Sequence, residues 1–335
     1  MVQNVIFGYT LHFKLYMIKN DWLKMNSVQA CAEIAVNDCL NIRRNEQFLV
    51  LCDTFCMHVG RALYDSADGK CKETMLVMVQ SRKYDGCALP EIIVPLLDKF
   101  DCIAIATQKA FSPALIEKLV MEKPLRIATL PGVTDTSFCR AMAIDWGKLG
   151  IYTRKVAGRA GTPDMVRLLS GDSAELTFEC DGNPARADDG RLMSNGTFGN
   201  LPGGEVCLRP RAGTANGTVI VNQSFALVDG TIDKPLVITF RQGVITRIEG
   251  HGCQLELEKL FVKNRSGARE LIEFGIGTNE LAEYGSTLLE DKKVRGAVHV
   301  AIGGGDDLPV HLDACVKGAS VWIDDRLFVD AGVIC

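Results

Sequence analysis

Two short segments near the end of the sequence alternate apolar residues with side chains that bind metals or move protons. In Val298-His299-Val300-Ala301-Ile302, the period of two of a strand puts His299 on one face with Ala297 and Ala301, opposite Val298, Val300 and Ile302. The small neighbours leave space beside the imidazole. In Val310-His311-Leu312-Asp313, His311 and Asp313 share a face while Leu312 takes the other, so one strand offers two ligand-type groups. Glu273 stands among large apolar neighbours in Leu271-Ile272-Glu273-Phe274-Gly275-Ile276-Gly277, where a carboxylate is costly unless paired, protonated or bound to a cation. Glu205 closes the turn Asn200-Leu201-Pro202-Gly203-Gly204 before Val206. Mixed imidazole and carboxylate donors suit zinc, manganese or iron(II). Taken singly, each residue also fits a surface or satisfied core position, and His311 with Asp313 equally fits a simple hydrogen-bonded pair.

The elements that must position these groups change character along the chain. From Glu46 onward, short apolar runs (Phe48 to Cys52, Met75 to Val79, Cys102 to Ala106, Ile127 to Leu130) alternate with helical stretches at Met57 to Ser66, Pro90 to Lys99 and Pro113 to Met121, the last behind a Ser112 N-cap. This is the pattern of a parallel sheet covered by helices on both faces. After Gly150 the segments alternate instead, as in Leu176 to Glu179, Thr218 to Val221, Leu236 to Thr239 and Val244 to Ile248, with a hairpin around Asp324-Asp325 and one helix near Arg265 to Ile272. The expected organisation is an N-terminal extension over 1–24, an α/β scaffold domain over 25–150, and a mainly antiparallel α+β metal-binding catalytic domain over 151–335. The apolar residues of the extension are interrupted by Lys14, Lys19, Asp21 and Lys24, which argues against a membrane helix or signal peptide.

Composition narrows the function classes. The chain has 335 residues, 47% of them apolar, enough for two cored domains. A formal charge of −4 without a long basic run argues against nucleic acid as a partner. Its 13 cysteines are odd in number and irregularly spaced, which points to reduced thiols and a cytoplasmic setting. Cys52, Cys56 and His58 lack a second Cys/His pair at zinc-finger spacing and are expected to be core residues of a strand-to-helix passage. No glycine-rich nucleotide fingerprint follows the first strand, which continues as Cys52-Asp53-Thr54-Phe55.

Four segments taken in order resemble the successive motifs of the aminopeptidase T family of metallo-aminopeptidases: residues 200 to 206, Glu-Phe-Gly-Ile-Gly-Thr-Asn at 273 to 279, Leu-Glu-Asp-Lys-Lys-Val-Arg-Gly-Ala-Val-His-Val-Ala-Ile-Gly at 289 to 303, and His-Leu-Asp at 311 to 313. Ile127 to Val133 resembles a segment of the family's first domain. The resemblance implies a homodimer with two metal ions, zinc, cobalt or manganese, held by Glu205, Glu273, His299, His311 and Asp313, and a small peptide or other small molecule as substrate.

Two features depart from that pattern. Lys292 stands where the family commonly has a further acidic ligand, so the candidate catalytic positions here are Glu273 and Lys292. The connection from His299 to His311 is short and holds Gly303-Gly304-Gly305-Asp306-Asp307, expected as a tight connector. Three readings follow. The first is a metal-dependent aminopeptidase-type hydrolase, in which an ion activates water. The second is an iron(II) enzyme similar to the related 2,5-dihydroxypyridine 5,6-dioxygenases, which need only one ion. The third is a degenerate, non-enzymatic binding protein.

Overall fold

A computed structural model of the chain describes residues 27–250, 252–264, 268–304 and 310–335. The expected extension over 1–24 and most of the glycine connector, 305–309, lie outside the described residues.

Alternate side chains of the strand Gln47–Cys52 enter two different cores. Phe48, Val50 and Cys52 pack with Cys31, Val59 and Leu63, whereas Leu49 and Leu51 pack with Ile93, Leu97 and Ile116. Burial on both faces makes this an interior strand of a parallel sheet. The sheet runs Glu73–Met78, Gln47–Cys52, Cys102–Ala106, Arg126–Thr129, Thr197–Asn200, with every pair parallel. Its helices include Met57–Ala67 and Pro113–Glu122, the latter capped by the Ser112 hydroxyl, which accepts from the Leu115 amide. The helix expected over Pro90 to Lys99 is only Val94–Leu97. Pro95 lacks an amide hydrogen and is tolerated only in a first turn, so the helix starts beside it.

The second sheet is antiparallel and has 14 strands among the described residues. The part that matters for function runs in the order Ser224–Phe225, Val310–Val316, Val298–Gly304, Glu270–Gly277, with Glu205–Leu208 also pairing along Glu270–Gly277 and Arg186–Asp188 beyond it. Phe274, Ile276, Val298, Val300, Ile302, Leu312 and Ala314 point into its core. The Asp324-Asp325 hairpin has both residues at positive φ, 47° and 62°, as a tight two-residue turn requires. Residues Glu270 to Ile272, expected to end a helix, begin the strand Glu270–Gly277 instead. The helix of this region is Gln254–Asn264, and 265–267 lie outside the described residues. Pairing with Val298–Gly304 overrides a local pattern compatible with either element.

The two sheets share the chain in an interleaved way. The boundary expected at residue 150 falls inside the helix Trp146–Ala160, and Thr197–Asn200 returns to the parallel sheet. Asn279 ties the halves together: its side-chain amide donates to the Ala141 carbonyl at 3.1 Å and the Gly203 carbonyl at 3.2 Å. No described helix is long and apolar enough to cross a membrane.

Candidate metal centre

The face of the antiparallel sheet opposite its core is where the polar residues alternate out. Along Glu270–Gly277 this face carries Glu273, Gly275 and Gly277. A register irregularity between Leu271 and Glu273 sets this phase. Gly277 is paired with Glu205, and Gly275 with His299. Ala301 lies between Glu273 on one neighbouring strand and Asp313 on the other. Its small side chain leaves a gap into which both carboxylates reach. A Cβ on Gly275 would overlap the His299 ring, so glycine there gives the imidazole its place.

All five residues expected as ligands are brought together, in two triads that share Glu273. One triad is Glu205, Glu273 and His299, and the other is Glu273, His311 and Asp313, with the donor atoms of each within 4.8 Å of one another. His299 Nε2 lies 3.3 Å from Glu273 Oε1 and 3.7 Å from Glu205 Oε2. His311 Nε2 lies 3.3 Å from Asp313 Oδ1. These are the only such groups among the described residues. Cys52 and Cys56 are buried in the core as expected, but His58 is exposed and pairs with Asp135.

The arrangement fits a cation. Glu205 Oε2 and Asp313 Oδ1 are buried acceptors with no hydrogen-bond donor, one in each triad. A buried carboxylate oxygen left in this way is costly, and a metal ion would satisfy it.

The structure also shows what already compensates the negative charge. The helix Leu288–Lys293, capped by Thr287, places two lysines against the triads. Lys292 Nζ donates to Asp313 Oδ2 at 2.8 Å, and Lys293 Nζ lies 2.6 Å from Glu205 Oε1 and 3.7 Å from Asp188 Oδ2. Burial pushes the Glu273 carboxyl up, but the His299 hydrogen bond, His311 and Lys292 outweigh it and bring it down to about 2. Burial likewise opposes ionisation of Glu205 and Asp313, and the lysines with His299 and His311 hold both well below the usual carboxylate range. His311 is raised: burial disfavours its charge, and the Asp313 carboxylate more than restores it. Asp188 is raised by its burial, with Glu205 adding to the effect. Lys293 and Asp188 were not singled out from the sequence as site residues. The adjacency of Lys293 to Lys292 was the available signal, but a pair of lysines ordinarily reads as solvated surface.

The two triads differ in access. Glu205 and His299 are sealed, whereas His311, Asp313 and Glu273 are 17%, 15% and 24% exposed. A cavity of about 300 Å³ between the two halves reaches Lys292, His311 and Asp313. A second recess of about 450 Å³ reaches His311 and Glu273 from the other side.

A helix-flanked parallel sheet joined to an antiparallel sheet with this acidic and imidazole face defines the fold of the aminopeptidase T and dihydroxypyridine dioxygenase class. A 2,5-dihydroxypyridine dioxygenase from Pseudomonas putida KT2440 superposes with a TM-score of 0.75 at 15% identity, over 92% of this chain and 96% of that one. Wild-type AmpT from Thermus thermophilus superposes with a TM-score of 0.62 at 15% identity, over 93% and 99%. At such identities the likeness establishes the fold. No curated protein matches the chain in sequence. Residues 151–335 match the family described as NicX: 2,5-dihydroxypyridine 5,6-dioxygenase, and the chain belongs to that family.

Proposed function

We propose that the chain is a one-metal enzyme of the ring-cleaving dioxygenase type, with His311, Asp313 and Glu273 holding the ion and a small dihydroxylated aromatic entering through the 300 Å³ cavity. The observation that carries this reading is Lys292. Its ammonium sits on Asp313 and within electrostatic reach of Glu205 and Glu273, so a permanent cation occupies the middle of the carboxylates that a two-ion cage would need. One imidazole and two carboxylates leave ligand positions open, as catalytic metal sites do. When bound, a divalent iron would supply the redox centre and vacant positions that ring opening requires.

The protein's own part is electrostatic and steric. Lys292 keeps Asp313 ionised and oriented. His299 and Lys293 hold Glu273 and Glu205 in place from the sealed side. The cavity walls offer apolar surface at Pro131, Phe225 and Leu289 to a planar ring.

A second reading, an aminopeptidase-type hydrolase with two ions, is favoured by the paired triads and the unsatisfied oxygen in each. Elemental analysis combined with oxygen-uptake and aminopeptidase assays on one preparation separates the two. About one equivalent of iron with oxygen consumption dependent on an aromatic diol supports the proposal. Two equivalents of zinc, cobalt or manganese with release of N-terminal residues overturns it.

A further inference from the structure

We propose that Lys109, held at the wall of the 300 Å³ cavity by the segment around Asp85, is a specificity-determining residue that selects an anionic substituent on the aromatic ring, so that the substrate is an aromatic acid. This rests on the one-metal reading above and specifies its substrate class.

The loop that follows the strand Cys102–Ala106 is fixed on both sides of Lys109. The Thr107 hydroxyl donates to the Lys109 carbonyl at 2.9 Å, the Gln108 amide donates to Asp53 Oδ2 at 2.8 Å, and the Ala110 amide donates to Asp85 Oδ1 at 2.6 Å. The lysine stem therefore leaves a rigid backbone, and the side chain is only 19% exposed. Its ammonium is hydrogen-bonded to one carbonyl and ion-paired to two carboxylates, all at long range. The Ala226 carbonyl is 3.4 Å away, Asp85 Oδ2 is 3.8 Å and Asp229 Oδ1 is 3.9 Å, all beyond the ~2.7–3.2 Å of a well-formed N–H···O bond. Asp229 is itself solvated, at 93% exposure. An ammonium held in a confined space with its donors underused is ready for a ligand oxygen.

Lys109 lines the same cavity as Lys292, His311 and Asp313, so a ring whose hydroxyls face the metal centre can present another substituent to it. The cavity is at the small end of the ~300–1,000 Å³ range of small-molecule sites, which suits a single ring. The two lysines, Lys109 and Lys292, line one cavity, so a ring with hydroxyls toward the metal centre and a carboxylate toward Lys109 meets a cation at each end.

The test compares binding of 3,4-dihydroxybenzoate and catechol to the zinc-loaded full chain by calorimetry, zinc being redox-inert. The wild type should bind the carboxylated ring more tightly. Lys109→Met should weaken it by at least roughly tenfold, the cost of losing a hydrogen bond to a charged group, while leaving catechol within about twofold. Lys109→Arg should restore the preference. If Lys109→Met does not fold, Lys109→Gln removes the charge and is read against the same pair. Unchanged preference in the charge-removing variant, or equal loss of both ligands, overturns the proposal. Zinc uptake is measured in the same titrations. A chain that takes up no ion fails the one-metal reading, and benzoate against benzyl alcohol in the ion-free chain then tests Lys109 with the same two outcomes.

Discussion

Lys292 Nζ lies 2.8 Å from Asp313 Oδ2, and this contact is the largest of those that hold Asp313 ionised against its burial. The lysine is 8% exposed and the aspartate 15%, so neither is neutralised by solvent. Asp313 is thereby held ionised, with Oδ2 engaged by Lys292 and Oδ1 facing only the His311 imidazole at 3.3 Å. On the one-metal reading, a site of this form attracts one cation and repels a second.

Replacing Lys292 should therefore change both metal affinity and metal number. Lys292→Met removes a positive charge beside the ion and should tighten divalent-ion binding at least roughly tenfold, about 1.4 kcal/mol, while lowering the melting temperature of the ion-free chain, because Asp313 loses its partner. Lys292→Glu should raise the capacity from about one equivalent to about two. Competitive titration with a chromogenic chelator reads both quantities. Unaltered affinity in the methionine variant would show that Lys292 does not oppose an ion.

Gly275→Ala should displace His299 without touching any proposed ligand chemically. The new methyl would overlap the imidazole, which is fully buried and cannot turn away freely. Overpacking of this kind costs about 1–3 kcal/mol. The Glu273 carboxylate also loses its hydrogen bond from His299 Nε2, so metal content should fall together with stability. A variant that melts lower but keeps full metal content would remove His299 from the support of Glu273.

The pH dependence of stability has a clear source away from the site. Arg126 is fully buried and donates to both oxygens of Glu46, at 2.9 and 2.7 Å. Burial raises the Glu46 carboxyl, but the Arg126 hydrogen bonds and the Arg43 amide lower it further than burial lifts it. A depressed folded-state value means the stabilisation is complete above the unfolded glutamate value of about 4.3 and is lost as pH falls below it. Glu46→Gln leaves a buried guanidinium without its counter-ion and should cost about 3–5 kcal/mol near neutrality, with the gap to wild type narrowing as pH drops from about 5 toward 3. Denaturant melts across that range check it, and a gap independent of pH would contradict the assignment.

Much of the centre was legible because a strand shows its faces locally. The alternation in Val298 to Ile302 and in Val310 to Asp313 predicts which side chains leave the core, and the structure places His299 with Ala301 and His311 with Asp313 on one face as expected. Apolar runs flanked by helices likewise announce a parallel sheet, since a strand buried on both faces has no polar positions to alternate. Where local patterns are ambiguous the reading failed. Leu271-Ile272-Glu273-Phe274 satisfies helix and strand periods alike, and only pairing with the neighbouring strand decides between them.

The sequence by itself determined on which side of their strands His299, His311 and Asp313 lie, while Glu205, Glu273 and the significance of Lys292 came through the family resemblance. Only the tertiary structure decided that Glu273 belongs to both triads, that Lys293 and Asp188 close the inner one, and that Lys109 faces the same cavity as His311. Periodicity fixes a side chain's direction relative to its own backbone, whereas these relationships join residues many positions apart. They depend on strand order, register and the packing of two sheets, which no local pattern encodes.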